Sequence, residues 1–378
     1  MSVWIRIGSD AATVSADAPA RAGAAFATAL VEARGALLIW SVPPRRFPDA
    51  EVHAPVEAAA WLADVYGPEI ADAVRQVAAG LPGATASRQE DALERDALER
   101  DALERTVPLP ADADLVDAAR RLALLTWALV WWPAGLRVPA LDPGVLAAET
   151  AIATHALEHL LDDDEAVERA LEDAADAASA LAAVPVAFAD DAAALDAALS
   201  AIAEDYGVEL SPVRALPDAA EWALAAGGTA PSTGVVLAEG RAAVRWTDVL
   251  PGTVAADAEA TWAVLAVGGS AVLRVGVAGV RPGAVPPPAS LRARFGPDPL
   301  DIDVPLEPEE GGYAGSVEVP ASVALLPLDE RTLHVRDTRV APAAGGTPAE
   351  VAAVLTYAAV RVEAPGAGLA ERIAGAGA

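Results

Sequence analysis

Near Gly234 the spacing of apolar residues changes from helical to alternating, and this switch constrains the fold more than any other feature of the chain. Before it, alanine- and leucine-rich stretches recur at helical intervals. Leu115 to Trp132 is the most apolar of them, with Trp127 and Trp131 one turn apart. Asp142-Pro143 supplies an N-cap followed by proline at the first helical position, which predicts a helix running to about Leu161. Asp162 to Glu165 then opens another, reaching about Ala183 before Pro185 breaks the run. Further helices are predicted over Asp190 to Tyr206, stopped by Gly207, and over Asp218 to Ala226.

Beyond Gly234 the runs are short and strand-like. Thr261 to Val267 and Ala271 to Val277 are joined by Gly268-Gly269-Ser270, a hairpin signal. Strands are also predicted at Val235–Leu237, Ala243–Trp246, Leu291–Phe295, Asp301–Val304, Tyr313–Val319, Thr332–Arg336 and Val351–Val362. Short strands separated by glycine and proline turns predict an antiparallel β-sandwich with an immunoglobulin-like outline.

The first 82 residues read as a small α/β opening. Val3 to Ile7 is strand-like, Pro19 to Arg34 is alanine-rich and helix-like, and Ala36 to Val42 reads as a buried strand. Helices over Pro55–Val65 and Pro68–Ala79 follow. A β-α-β opening can bind nucleotides, but Ile7-Gly8-Ser9-Asp10 has neither the G-x-G-x-x-G fingerprint nor a P-loop lysine. The pentapeptide Asp-Ala-Leu-Glu-Arg then repeats three times from Asp91 to Arg105. Five helical residues advance a side chain by about 140°, so Leu93, Leu98 and Leu103 form no stripe. The expectation is a solvated helical spacer ended by Pro108 and Pro110.

The reading for all 378 residues is therefore an α+β multidomain chain. Its first two-thirds are mainly helical and its last third is a sandwich. The expected segments are 1–82 (α/β), 83–110 (repetitive charged linker or helix), 111–230 (helical domain), 234–364 (β-sandwich) and 365–378 (flexible tail).

Composition narrows the partners. The formal net charge is −29, with 55 acidic residues against 26 basic ones, and lysine, asparagine and cysteine are absent. Missing lysine and asparagine fit a GC-rich bacterial genome. Without cysteine no disulfide, thiolate nucleophile or cysteine-based metal site exists. The start of the chain shows no basic segment leading into an apolar one, and the apolar stretch around Leu122 to Pro133 is too short to span a bilayer. The expected location is the cytoplasm. Nucleic acid and anionic membrane are poor partners for such a charge, because both select clustered cations. A protein with a basic surface is the better match.

One short motif carries chemistry. His155-Ala156-Leu157-Glu158-His159 resembles the inverted zinc motif of the pitrilysin and insulin-degrading peptidases. That resemblance implies His155 and His159 as zinc ligands, Glu158 as general base, and a more distant glutamate ligand, for which Glu239 is the candidate. On a continuous helix the two histidines share a face. Here the motif lies mid-chain in a helical region, Glu239 falls in a strand-and-turn context, and Leu146, Ala153, Leu157 and Leu160 form the core stripe largely opposite the imidazoles. The competing reading is a partly exposed histidine pair with a solvated glutamate.

Two acidic clusters, Asp162 to Glu165 and Asp298, Asp301, Asp303, Glu307, Glu309 and Glu310, have oxygen ligands for Mg²⁺ or Ca²⁺ but no EF-hand spacing. They read as a helix start and as loop charges. No G-x-S-x-G elbow accompanies the histidines. The expected function is a non-enzymatic interaction, scaffold or adaptor protein without cofactor. The alternative is a zinc-dependent hydrolase built on His155, Glu158 and His159.

Overall fold

In the computed structural model the described residues are 2–7, 12–16, 24–80, 103–106, 112–135, 137–210, 234–250, 252–280, 289–297, 300–340 and 346–377. They form a mixed α+β protein that divides into two compact units. The first comprises 1–129, 143–211 and 346–354; the second comprises 130–142, 212–345 and 355–378. Among the described residues no helix is long and apolar enough to cross a membrane.

The first unit opens on strands β1 (Ser2–Ile7), β2 (Ala12–Ala16), β3 (Thr28–Ala33), β4 (Ala36–Ser41) and β5 (Asp49–Val52), with β6 (Leu103–Thr106) arriving later. They make a sheet in the order β3-β4-β5-β2-β1-β6, antiparallel at every pairing. The α/β opening is thereby corrected. Among the described residues this sheet has no parallel pair, and so no β-α-β crossover. The described part of the alanine-rich stretch, from residue 24 on, is not helical: Ala25–Ala27 make one 3-10 turn and Thr28–Ala33 are strand. Residues 28–33 alternate between covered and uncovered positions, and that two-residue period overrides alanine's helix propensity. The chain reverses from β3 to β4 through Gly35 at φ +71°. A Cβ there would collide with the carbonyl of Ala54, so glycine is required on two grounds. Most of the predicted 83–110 spacer lies outside the described residues, but Leu103–Thr106 within it are strand, paired with β1.

Helices α1 (Pro55–Tyr66) and α2 (Pro68–Gly80) follow as read, each begun by proline. The buried Tyr66 hydroxyl donates to the carbonyl of Pro48 at 2.9 Å, and burial pushes the phenol well above its usual range. Tyr66→Phe should cost about 1–2 kcal/mol in urea denaturation, since it strands that buried carbonyl. A change below about 0.3 kcal/mol would show that the bond contributes nothing net.

The remaining helices of this unit are α3 (Ala113–Trp131, shared with the second unit), α4 (Pro143–Ala156), α5 (Ala166–Asp173), α6 (Ala177–Ala182) and α7 (Ala189–Tyr206). α4 packs against α5, α6 and α7. The Trp127 indole N–H donates to Phe26 O at 2.8 Å, tying α3 to the turn before β3. The helix predicted over Asp218–Ala226 lies outside the described residues.

In the second unit, strands β7 (Val235–Ala243), β8 (Glu259–Val267) and β9 (Ser270–Ala278) are followed by β10 (Leu291–Phe295), β11 (Ile302–Pro305), β12 (Glu307–Glu309), β13 (Gly312–Val319) and β14 (Leu333–Asp337). Two antiparallel sheets result, ordered β12-β13-β9-β8-β7 and β11-β10-β14. One apolar core joins them, with Trp262 of β8 and Phe295 of β10 in contact at 4.7 Å between ring centroids. In place of the two strands expected at 235–237 and 243–246 there is one, β7, with a bulge at Leu237; it ends at Ala243, and a 3-10 turn follows over Trp246–Asp248.

Two further corrections fall at the end. Val351–Val362 is no strand; the chain there forms helix α8 (Pro348–Arg361), with Val354 and Ala358 buried four residues apart. Its start is a reciprocal box in which Thr347 Oγ1 accepts from the Glu350 N–H and Glu350 accepts from the Thr347 N–H. The expected tail is instead helix α9 (Leu369–Ala376), tied back by Glu371, which accepts from Arg361 at 2.8 Å.

Candidate functional site

The histidine motif does not sit on a continuous helix. α4 ends at Ala156, and residues 157–160 wind as tight turns closed by i+3 hydrogen bonds such as Leu160 N–H to Leu157 O. Tight winding advances each residue by about 120° rather than 100°, so the shared face required of His155 and His159 is lost. The turn instead fastens α4 to the end of β3. The Arg34 N–H donates to Leu160 O at 2.9 Å, its Nε to Leu161 O at 3.0 Å, and the Asp162 N–H to Glu32 O at 3.3 Å. Leu157 and Leu160 are buried, while Glu158 and His159 are exposed.

Each member of the motif has its own surroundings. His155 meets the ring of Tyr206 edge to face at 5.9 Å, and its Nδ1 is buried without a hydrogen-bond partner among the described residues. The Tyr206 hydroxyl donates to Glu158, which raises the phenol's pKa and occupies the supposed base. Glu239 stands on β7 of the second unit. Among the described residues no group of three or more histidine, aspartate or glutamate side chains could hold a metal ion.

The acidic clusters are engaged with arginines. Asp163 accepts from Arg169 at 2.6 Å and from the Glu165 N–H at 2.9 Å, and these bonds hold its carboxyl below the usual range. Asp164 pairs with Arg34 at 3.5 Å. In the second unit Asp301 pairs with Arg294 and Asp303 with Arg292 across the β10–β11 ladder, and Glu309 lies 3.9 Å from Arg274. Asp298 lies outside the described residues.

Two surface features of the second unit were not anticipated from the sequence. The first is the segment between β13 and β14. It forms two 3-10 turns, Ala321–Leu325 and Leu328–Glu330, each preceded by a proline. Val323 is buried and Leu326 packs against the core, which anchors the loop from beneath. The Arg331 guanidinium locks it from the side, donating through Nε to Leu326 O at 2.8 Å and through Nη2 to Ala324 O at 3.1 Å. The result holds Leu325 and Leu328 out in water, 83% and 82% exposed. Single exposed leucines are ordinary; here two stand three residues apart on one braced loop. Exposed Asp329 and the carboxylate of Glu330 follow directly.

The second is a groove of about 840 Å³ on the outer face of the five-stranded sheet. Thr261, Ala263, Gly276 and Ala314 line it with little bulk, and Glu239 and Arg241 of β7 stand beside them. Arg241 lies 3.3 Å from Glu259 in an exposed ion pair. Comparison with protein-family models, with curated proteins and with solved structures finds no match for the chain.

Proposed function

We propose that this is a non-enzymatic protein–protein interaction or adaptor protein of a bacterial cytoplasm, and that its second unit, an immunoglobulin-like sandwich in outline, presents the contact. The braced leucine pair carries this reading. An apolar ligand already fixed in shape loses little conformational entropy when a partner covers it. Each leucine that enters a pocket contributes roughly 1.5–3 kcal/mol of burial. The adjoining Asp329 and Glu330 favour a pocket with a cationic rim, and the net charge of −29 favours basic partners over the whole approach.

The test compares the wild-type chain with a Leu325→Ser/Leu328→Ser variant, both immobilised and exposed to lysate of the source cells. Captured proteins are identified and purified, and their affinity is measured directly. The expected partner is basic, weakens as salt rises, and binds the variant at least about tenfold less tightly. Thermal melting should be unchanged, because both side chains are already in water. Equal affinity for both chains, or capture of no specific protein, would defeat the reading.

A further inference from the structure

β7 is a nine-residue strand at the end of the five-stranded sheet, and among the described residues no strand pairs with its other side. An open edge of this length offers unpaired backbone groups to another chain. Its bulge at Leu237 leaves a regular stretch, Ala238-Glu239-Gly240-Arg241-Ala242, that is chemically symmetric about Gly240. Glu239 and Arg241 project to the exposed face, whereas Ala238 and Ala242 pack against the core on the other. Gly240 lies against the indole of Trp262, where a Cβ would collide with the ring.

We propose that β7 pairs antiparallel with β7 of a second copy of this chain, about a two-fold axis through Gly240. In that register residue i lies opposite residue 480 − i. Glu239 of each copy then faces Arg241 of the other, giving two opposite-charge cross-strand pairs on the outer face. Ala238 faces Ala242 twice on the inner face, small against small, so no side chain there obstructs the approach of the two strands. Gly240 faces Gly240, and Leu237, otherwise half in water, comes opposite Ala243. A shift of register by one residue puts Glu239 against Gly240, and a shift by two sets Glu239 or Arg241 against itself. The strand's own charges therefore select one alignment and one partner. The long-range repulsion of two acidic chains is screened beyond about 8 Å at physiological salt, which leaves these contact pairs to decide. This pairing does not depend on the leucine loop.

Sedimentation velocity of the full chain, at concentrations up to the order of 100 µM to suit a small interface, reads the outcome. The wild-type chain is expected to show a concentration-dependent dimer. Arg241→Glu and Glu239→Arg, each of which creates two like-charge pairs, should each weaken it by about tenfold or more, and the double swap Glu239→Arg/Arg241→Glu should restore it. Neutral Glu239→Gln and Arg241→Gln should weaken it by less. Both positions of change are on the surface, and thermal melting of each variant checks that the unit is folded. A chain that stays monomeric throughout, a dimer indifferent to either single reversal, or one that the double swap fails to restore would each overturn the proposal.

Discussion

Gly315→Ala should destabilise the second unit by about 3 kcal/mol, a large effect for a single methyl group. Gly315 lies mid-strand in β13, opposite Val275 of β9, and its φ is not in the left-handed region, so backbone freedom does not explain the glycine. Space does. A Cβ at this position would fall far inside contact distance of the Pro305 carbonyl oxygen and 3.1 Å from Val304 Cγ1. Pro305 ends β11 and is registered against Arg292 of β10, and Val304 is wholly buried. Neither is the free end of a flexible side chain, so the added methyl can be housed only by separating the two sheets where β11 crosses β13. Gly276→Ala is the matched control. Its Cβ would face the groove and meet only Thr261 Oγ1, at 3.3 Å, and should cost less than about 1 kcal/mol. Urea denaturation of both variants gives the comparison, and equal midpoints would show that the sheets yield more easily than close packing implies.

The parts of this fold that were legible in the sequence are those where local chemistry and tertiary pattern agree. Gly268 and Gly269 both adopt positive φ, +58° and +93°, so the dipeptide that signalled the β8–β9 hairpin also makes it. Proline at the start of α1 and α2 marked their first turns, and Gly207 at φ +69° closes α7. The fold departs from the sequence expectation where composition and pattern conflict. β3 is built of alanine, leucine and valine in a two-residue alternation, yet the surrounding alanines suggested a helix. In α8 the β-branched residues suggested a strand, although Thr347-Pro348-Ala349-Glu350 carries the capping signature that places the helix start correctly.

Site-level features were less legible because they depend on register and on winding. Asp303 lies in β11 and Asp301 just before it; the β10–β11 register sets Arg294 opposite Asp303 and Arg292 opposite Pro305, so both ion pairs, Asp301 with Arg294 and Asp303 with Arg292, run diagonally and depend on that alignment. The histidine motif is a spacing argument, valid only if the helix continues, and α4 stops at Ala156. Nothing in the sequence around Leu325 and Leu328 distinguishes leucines that pack from leucines that are presented. The distinction comes from Arg331, five or more residues from the carbonyls it grips.

Acid sensitivity should concentrate at Asp337, and removing its partner should blunt it. The Asp337 side chain is 0% exposed. It accepts from Arg339 Nη2 at 2.8 Å, Arg339 Nε at 3.0 Å and the Arg339 N–H at 2.9 Å. These bonds, the arginine foremost, hold its carboxyl below the usual carboxylate range despite burial. The carboxylate lies near the buried Tyr313, whose phenol is pushed up to about 12 chiefly by burial. A carboxyl with a lowered folded pKa stabilises the fold above its unfolded value of about 3.9, and that contribution is lost as pH falls through the lower folded value. The wild-type chain should therefore lose stability between about pH 5 and pH 2 more steeply than Asp337→Asn, which has no charge there to lose. Arg339→Ala is the sharper variant. It leaves a buried carboxylate with backbone donors alone and should cost about 2 kcal/mol at pH 7, below the 3–5 kcal/mol of a fully enclosed pair because Arg339 is 48% exposed. With the guanidinium gone, the largest cause of the lowered carboxyl is removed, so the acid response of Arg339→Ala should be flatter than that of the wild-type chain. Urea midpoints of the three chains across this range decide the matter, and parallel pH profiles would show that the pair does not control the acid response.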